Sequence, residues 1–411
     1  MNPPVQRFAF RIALSALVFV INIAGSSSIR VATYNILDFP ESIGDQRVDD
    51  FRTVIGFIDP DILIVQEMQS QQGVDLFLDS VMRPVQSSFA SVPFHDGPDT
   101  DNAIFYRQDK ASFISVNYLS TTNRDIAEYR LFLAGSGQEL HLFSVHLKAS
   151  AGTVNEAIRL QEATTLRNHL NTFSPGTDFL VAGDFNIYYS DEPAYGMLID
   201  SLDNNRGRLF DPLSTPGSWH ENSSFAAVHS QSSRVEQLPD GGAGGGLDDR
   251  FDMILCSASL LDSADLWLLH DSYTICGNDG AHFNLAINYG TNGAVPSYVA
   301  DALYWASDHL PVFVDLGVDT VPTIAEPVVK VWPNPMQNWA QVTFPQHEDF
   351  MEARIIMTNI LGQNVYDAQT NDPLSHHIES SDLPIGVYFL TILVYTRYNE
   401  IHYSTRVAKV K

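Results

Sequence analysis

Six times in this sequence an apolar run meets a polar residue able to hold a metal ion or a phosphate. The run 29–34 ends at Asn35, and 61–65 ends at Gln66 and Glu67. The run 142–145 ends at His146, with Lys148 two residues on. The run 179–183 ends at Asp184 and Asn186, and Phe251 is followed by Asp252. Ser307, Asp308 and His309 stand just before the run 312–316. If these ends converge, one cleft gathers four carboxylates, two histidines, two carboxamides and a lysine. That set suits hydrolysis of a phosphate ester. Carboxylate and amide oxygens hold a hard cation, which neutralises charge on the non-bridging oxygens. A histidine steered by a carboxylate carries a proton. A lysine stabilises charge growing on the phosphate. Each element alone has a structural reading: GDFN as a tight turn, SDH as a helix cap, His146 as a strand histidine. The six in this order do not.

The elements that must position these residues are strands and helices in alternation. A strand places residues i and i+2 on one face, which pairs His146 with Lys148 and Asp184 with Asn186. Runs at 29–34, 61–65, 103–106, 140–147, 179–182, 251–255 and 312–316 read as strands. Val48, Phe51, Ile55 and Ile58 share one helical face, and Pro60 stops that helix. Leu160, Ala163, Leu166 and Leu170 make a second stripe. This mixture argues for a layered α/β or α+β fold. The Gly-rich stretch 240–246 reads as a flexible loop. Residues 318–330 carry two prolines and read as a linker. Residues 331–411 are short strand-like runs between turn residues, which suggests a small all-β sandwich.

The 411 residues allow two or three domains. Lys and Arg total 23 against 49 Asp and Glu, a net charge of −26. That excludes a protein that grips nucleic acid by bulk positive charge. It does not exclude an enzyme that meets phosphate through a bound cation. Residues 1–28 read as a secretory signal: Arg7 and Arg11, an apolar stretch 12–24, then small residues. No other stretch is long and apolar enough to cross a bilayer, so no stable membrane insertion is expected. Export places Cys256 and Cys276 where disulfides persist. Their spacing leaves a bridge and two free thiols equally open. Two cysteines are too few for a disulfide scaffold. P-loop, HExxH and GxSxG motifs are absent.

Residues 29–317 resemble the endonuclease/exonuclease/phosphatase superfamily, which includes pancreatic deoxyribonuclease, abasic-site endonucleases and neutral sphingomyelinases. The stretches VATYNIL, LIVQEM, NAIFYR, FSVHLKA, LVAGDFNI, RFDMIL and ASDHLPV carry the resemblance. It implies an α+β fold: two mixed β-sheets packed face to face with outer helices, a deoxyribonuclease-like four-layer sandwich. It implies Glu67 as principal Mg²⁺ ligand, with Asn35 beside it at metal and phosphate and Asp308 as a further metal-site carboxylate. Mn²⁺ is an alternative, and a structural Ca²⁺ is left open. Asp184 resembles the carboxylate that orients or deprotonates water, and Asn186 the carboxamide at the scissile phosphate. His309 resembles the essential histidine, Asp252 its orienting carboxylate, and His146 the second histidine of the deoxyribonuclease and sphingomyelinase branches. Lys148 is expected at the substrate phosphate. The choice of general base between Asp184 and His309 stays open. One departure stands out: the deoxyribonuclease pairs its second histidine with an upstream Glu, and here only Asp96, Asp99 and Asp101 are on offer. The insertion 204–250, with Trp219, His220, His229 and Arg234, and the stretch 277–284 are expected to border the cleft.

Residues 331–411 resemble the sorting domain of the type IX secretion system of Bacteroidetes, through VWPNP, 359–362, LPIGVYFLTI and the basic end with Arg406, Lys409 and Lys411. This implies handling by that secretion machinery and a secreted or outer-surface location. The other reading is a carbohydrate-binding or spacer sandwich, for which the sequence offers no evident aromatic platform. The expectation is a secreted, monomeric, metal-dependent phosphodiesterase that hydrolyses DNA or RNA and binds it weakly. The alternative is a phosphomonoesterase or a sphingomyelinase-like phospholipid hydrolase.

Overall fold

The computed structural model describes residues 27–134, 136–261, 265–318, 330–343, 349–397 and 400–410. Residues 1–26 of the expected signal and 319–329 of the expected linker lie outside the described residues. The chain divides into two compact units, 1–321 and 322–411.

In the first unit, strands β1 (Ser27–Phe39), β2 (Ile62–Met68), β3 (Phe89–Ser91) and β4 (Asp101–Arg107) open one sheet. Strands β5 (Ala111–Leu119), β6 (Ile126–Leu133), β7 (Glu139–His146), β8 (Phe179–Asp184) and β9 (Asp252–Cys256) form a second, in that order. Strands β10 (Leu266–Leu268), β11 (Thr274–Ile275) and β12 (Val312–Val318) return to the first. Its order is β10-β12-β1-β2-β4-β3, with β11 also on β12. Each sheet contains one parallel pair, β1 with β2 and β7 with β8, among antiparallel ones. Both sheets are therefore mixed, as the resemblance implies. Ser27 pairs with Val318 and Ser28 with Gly317. The last two residues assigned to the signal and the first assigned to the linker thus belong to the sheet.

Helices cover the outer faces. In Val48–Ile58, Phe51, Ile55 and Ile58 of the expected stripe are buried together with Val54, while Val48 is half-buried, and Asp59 ends the helix in a left-handed conformation before Pro60. Phe51 packs edge-on against Tyr34 and Phe39 of β1. The helix Ser297–Ala306 lies beside it. On the second sheet, Thr153–Leu170 buries Ala163, Leu166 and Leu170, with Arg159 in place of the expected Leu160, which is only half-buried.

The sheets meet through a buried polar ladder as well as an apolar core. Thr33 Oγ1 donates to Gln66 Oε1 (3.2 Å), Gln66 Nε2 to Ser144 Oγ (2.9 Å), and Ser144 Oγ to Asn102 Oδ1 (2.7 Å). These groups are satisfied within the interface, so they pin one sheet against the other at a fixed register. Cys256 and Cys276 are buried free thiols, which answers the question their spacing leaves open. Among the described residues, no helix is long and apolar enough to cross a membrane.

The second unit is a β-sandwich. One sheet holds Lys330–Trp332, Trp339–Thr343 and Ser375–Glu379. The other holds Phe350–Asn359, Asn364–Thr370, Gly386–Thr396 and Glu400–Lys409. Ala340, Val342 and Ile378 from the first meet Ile355, Leu390 and Ile392 from the second in one core.

Candidate active site

Three neighbouring strands end at one level. In the register of β7, β8 and β9, His146 faces Asp184, and Asp184 faces Asp252. Gly183 makes this possible. Its φ is +142°, and a Cβ there would stand 2.0 Å from the Val145 carbonyl oxygen. Only glycine lets β8 approach β7 so closely just before Asp184.

From the facing sheet, β1 and β2 deliver Asn35 and Glu67. Asn35 Nδ2 donates to Glu67 Oε1 (2.9 Å) and to Asp184 Oδ2 (3.1 Å), joining the two sheets across the site. Asp38 N donates to Glu67 Oε2 (3.0 Å). Glu67 and Asn186 both hold left-handed backbone conformations, with φ of 65° and 52°. Non-glycine residues in that region carry strain that tends to gather at functional sites.

The helix Ser297–Ala306 runs directly into Ser307, Asp308 and His309. Ser307 Oγ donates to the Asn35 carbonyl (2.7 Å), so this segment is tied to β1. His309 Nδ1 meets Asp252 Oδ2 at 2.8 Å, and Ser230 Oγ donates to the same oxygen (2.7 Å). The other ring nitrogen, Nε2, lies 3.7 Å from Asp184 Oδ2. His146 Nε2 lies 3.5 Å from that oxygen and 3.8 Å from Glu67 Oε1. Asn186 N donates to Asp184 Oδ1 (3.0 Å), and its side chain donates to the Leu147 carbonyl (3.2 Å). Eight of the nine residues singled out in the sequence are thus drawn into one cluster, and the half-buried Lys148 is linked to it by its charge felt at His146.

Burial decides the proton affinities. It pushes the Glu67 carboxyl up to about 7, with the Asp308 charge adding to it. It pushes Asp184 up to about 6, although His309 pulls the other way. Burial and the nearby charges of Arg124, His309 and Lys148 hold His146 well below its ordinary value. For His309 burial again opposes the charge, but Asp252, Asp308 and Asp184 outweigh it and hold the imidazole well above its ordinary value. The oxygens of Asn35, Glu67, Asp184 and Asp308 are of the kind a hard divalent cation takes, although among the described residues no three His, Cys, Asp or Glu side chains are grouped as a metal site.

Several expectations need correction. None of Asp96, Asp99 and Asp101 is bonded to His146. Asp99 pairs with Arg124 (2.7 Å), and Asp101 accepts from Gly97 N (3.0 Å). His146 Nδ1 is buried with no hydrogen-bond partner. The insertion does border the site, through Ser230, Gln231 and Ala243, but Trp219, His229 and Arg234 are buried inside it. His229 Nε2 meets the Trp219 carbonyl at 2.8 Å, and Arg234 pairs with Asp240 (2.5 Å). Of the four named, His220 is exposed, paired with Asp249 at 2.7 Å. The stretch 277–284 braces the insertion: Asn278 Nδ2 donates to the carbonyls of Ala226 (2.8 Å) and His229 (2.7 Å). The Gly-rich stretch is packed onto the site. Ala243 N donates to Asp308 Oδ2 (2.7 Å), and a Cβ on Gly242 would stand 3.0 Å from Asp308 Cγ.

Sequence reading misses Ser230 and Gln231. The Gln231 carboxamide spans His309 Nε2 (2.6 Å) and Asp308 Oδ2 (3.3 Å), and its backbone bridges both Asp249 and His309. A polar run such as HSQSS carries no signal of this; the pairing alone creates it.

No curated protein sequence matches the chain. Several solved structures are similar. D. rerio TDP2, complexed with a single-strand DNA product, has 13% identity and a TM-score of 0.48, over 71% of this chain and 99% of that one. An endonuclease/exonuclease/phosphatase family protein from Bacteroides thetaiotaomicron has 18% identity and a TM-score of 0.45, over 72% and 99%. A mannosyl-6-phosphatase from the same organism has 18% identity and a TM-score of 0.43, over 70% and 99%. Residues 330–399 match the secretion system C-terminal sorting domain, which marks the protein for secretion or the outer surface. With its match over residues 32–309, more than half its length, the chain belongs to the Endonuclease/Exonuclease/phosphatase family of hydrolases.

Proposed function

We propose that this protein is a secreted, divalent-metal-dependent phosphodiesterase acting on nucleic acid. The observation that carries this reading is the Asp252–His309 pair set against Asp184, with a second histidine near the same carboxylate oxygen. Hydrolysis of a diester needs one group to take the proton of the attacking water and another to serve the leaving oxygen. In this reading Asp184 or His309 takes the proton of the water, and Asp252, bonded to His309 Nδ1, orients the imidazole. His146 stands where a leaving oxygen could be served. Glu67 and Asn35 would hold Mg²⁺ or Mn²⁺, with Asp308 behind them. Bound there, the cation supplies charge neutralisation at the non-bridging phosphate oxygens. Asn186 and Lys148 are the groups left to position the phosphate.

The test is supercoiled plasmid incubated with the purified chain, with Mg²⁺ or with EDTA. Nicking is expected only with the metal, and His309→Ala is expected to lose about 10³-fold in rate. Release of phosphate from small monoesters without any nicking would replace the nuclease reading with a phosphomonoesterase. Release of a phospholipid headgroup without nicking would replace it with a lipid hydrolase.

A further inference from the structure

The three-stranded sheet of the C-terminal unit has one face in the core and one in solvent. Ala340, Val342 and Ile378 point inward and are fully buried. Alternate residues point outward. The register aligns them in rows: Lys330, Thr343 and Ser375, then Trp332, Gln341 and His377, then Trp339 and Glu379. The sequence offers no evident aromatic platform here, but the hairpin builds one. It brings Trp339 onto the strand beside Trp332, with ring centres 5.7 Å apart and planes at 70°. On its other side Trp339 stacks on His377, with centres 5.5 Å apart and planes at 24°. Trp332 remains 69% exposed.

We propose that this face is a binding site for a neutral polysaccharide. A sugar ring presents a flat C–H face, rimmed by hydroxyl groups. Trp332, beside Trp339 and largely in solvent, offers a π-face that attracts polarised C–H groups. Gln341, His377 and Glu379 stand in the adjoining rows, where hydroxyls would need donors and acceptors. The other members of the face decide among ligands. Beyond the two indoles it carries no aliphatic side chain: Lys330, Gln341, Thr343, Ser375, His377 and Glu379 are all polar. The centre of a protein interface is depleted in charge, and this face is not. A polyanion would need a cationic field. The face sets one lysine against one glutamate, on a chain of net charge −26. A neutral, hydroxyl-rich chain meets both conditions. This inference is independent of the phosphodiesterase reading, because it concerns the other unit.

The test is electrophoresis of the full chain through native gels holding mixed-linkage β-glucan, xylan, galactomannan or heparin. Retardation by at least one of the three neutral polymers, and none by heparin, is expected. Trp332→Ala/Trp339→Ala should weaken that retardation at least about tenfold in apparent Kd, and Trp339→Tyr should keep most of it. Thermal unfolding monitors folding of each variant. Should the double variant fail to fold, Trp332→Ala alone suffices, since that side chain is mostly in solvent. Passage through all three neutral gels without retardation would overturn the proposal, as would undiminished retardation of the alanine variants. Concentration-dependent dimerisation that is lost with the tryptophans, without any retardation, would overturn it in favour of a contact between copies.

Discussion

His309 is held between two carboxylates that do different work. Asp252 takes Nδ1 at 2.8 Å and is itself fixed by Ser230, while Asp184 lies 3.7 Å from Nε2, far enough to leave room for adjustment when substrate enters. Removing the first carboxylate charge should therefore spoil the orientation and charge of the imidazole without touching substrate contacts. Asp252→Asn is expected to lower kcat by about 10²–10⁴ while KM changes little, measured by steady-state cleavage of a labelled oligonucleotide. A matched fall in substrate affinity would show that Asp252 binds the substrate itself. At this scale the nine chemistry-bearing residues were legible because each is an unusual type at the edge of an apolar run. Gln231 was not legible. Its contact with His309 depends on pairing across 78 residues of chain, and glutamine in a polar loop is unremarked by type.

The elements carry their own polar clamps. Glu128 on β6 accepts from Asn117 Nδ2 (3.2 Å) and meets His141 of β7 at 2.7 Å and His169 of the helix Thr153–Leu170 at 2.8 Å. Helix and sheet are joined through this carboxylate. Burial works against its charge, but the bonds from His141, His169 and Asn117 prevail and hold it well below the ordinary glutamate value. A carboxyl depressed in the folded state adds stability above its unfolded-state value, and that stability is lost as pH falls through the folded-state value. Glu128→Gln should lower Tm at neutral pH and flatten the fall of Tm between about pH 5 and pH 2. An unchanged acid profile would mean the clamp contributes nothing. The helix Val48–Ile58 was legible from its stripe and its proline stop. The partner that stripe would cover was not, since any apolar face of matching shape satisfies it.

For the whole molecule, the net charge of −26 sets how a polyanionic substrate arrives. A basic nuclease loses affinity steeply as salt rises. Here added salt screens repulsion, so cleavage at fixed Mg²⁺ should hold steady or rise between about 50 and 200 mM salt. A steep fall over that range would show a local cationic track that dominates the global charge. The sequence by itself determined the family and most strands. These are local properties: side-chain type, periodicity and turn chemistry act over a few residues. Only the tertiary structure decided that His146 Nδ1 has no partner, that the cysteines stay apart, and that the Gly-rich stretch packs on Asp308. It also decided that two tryptophans and a histidine share one exposed face. These depend on which strands become neighbours and in what register, and that is set by burial of the whole core rather than by any local run of residues.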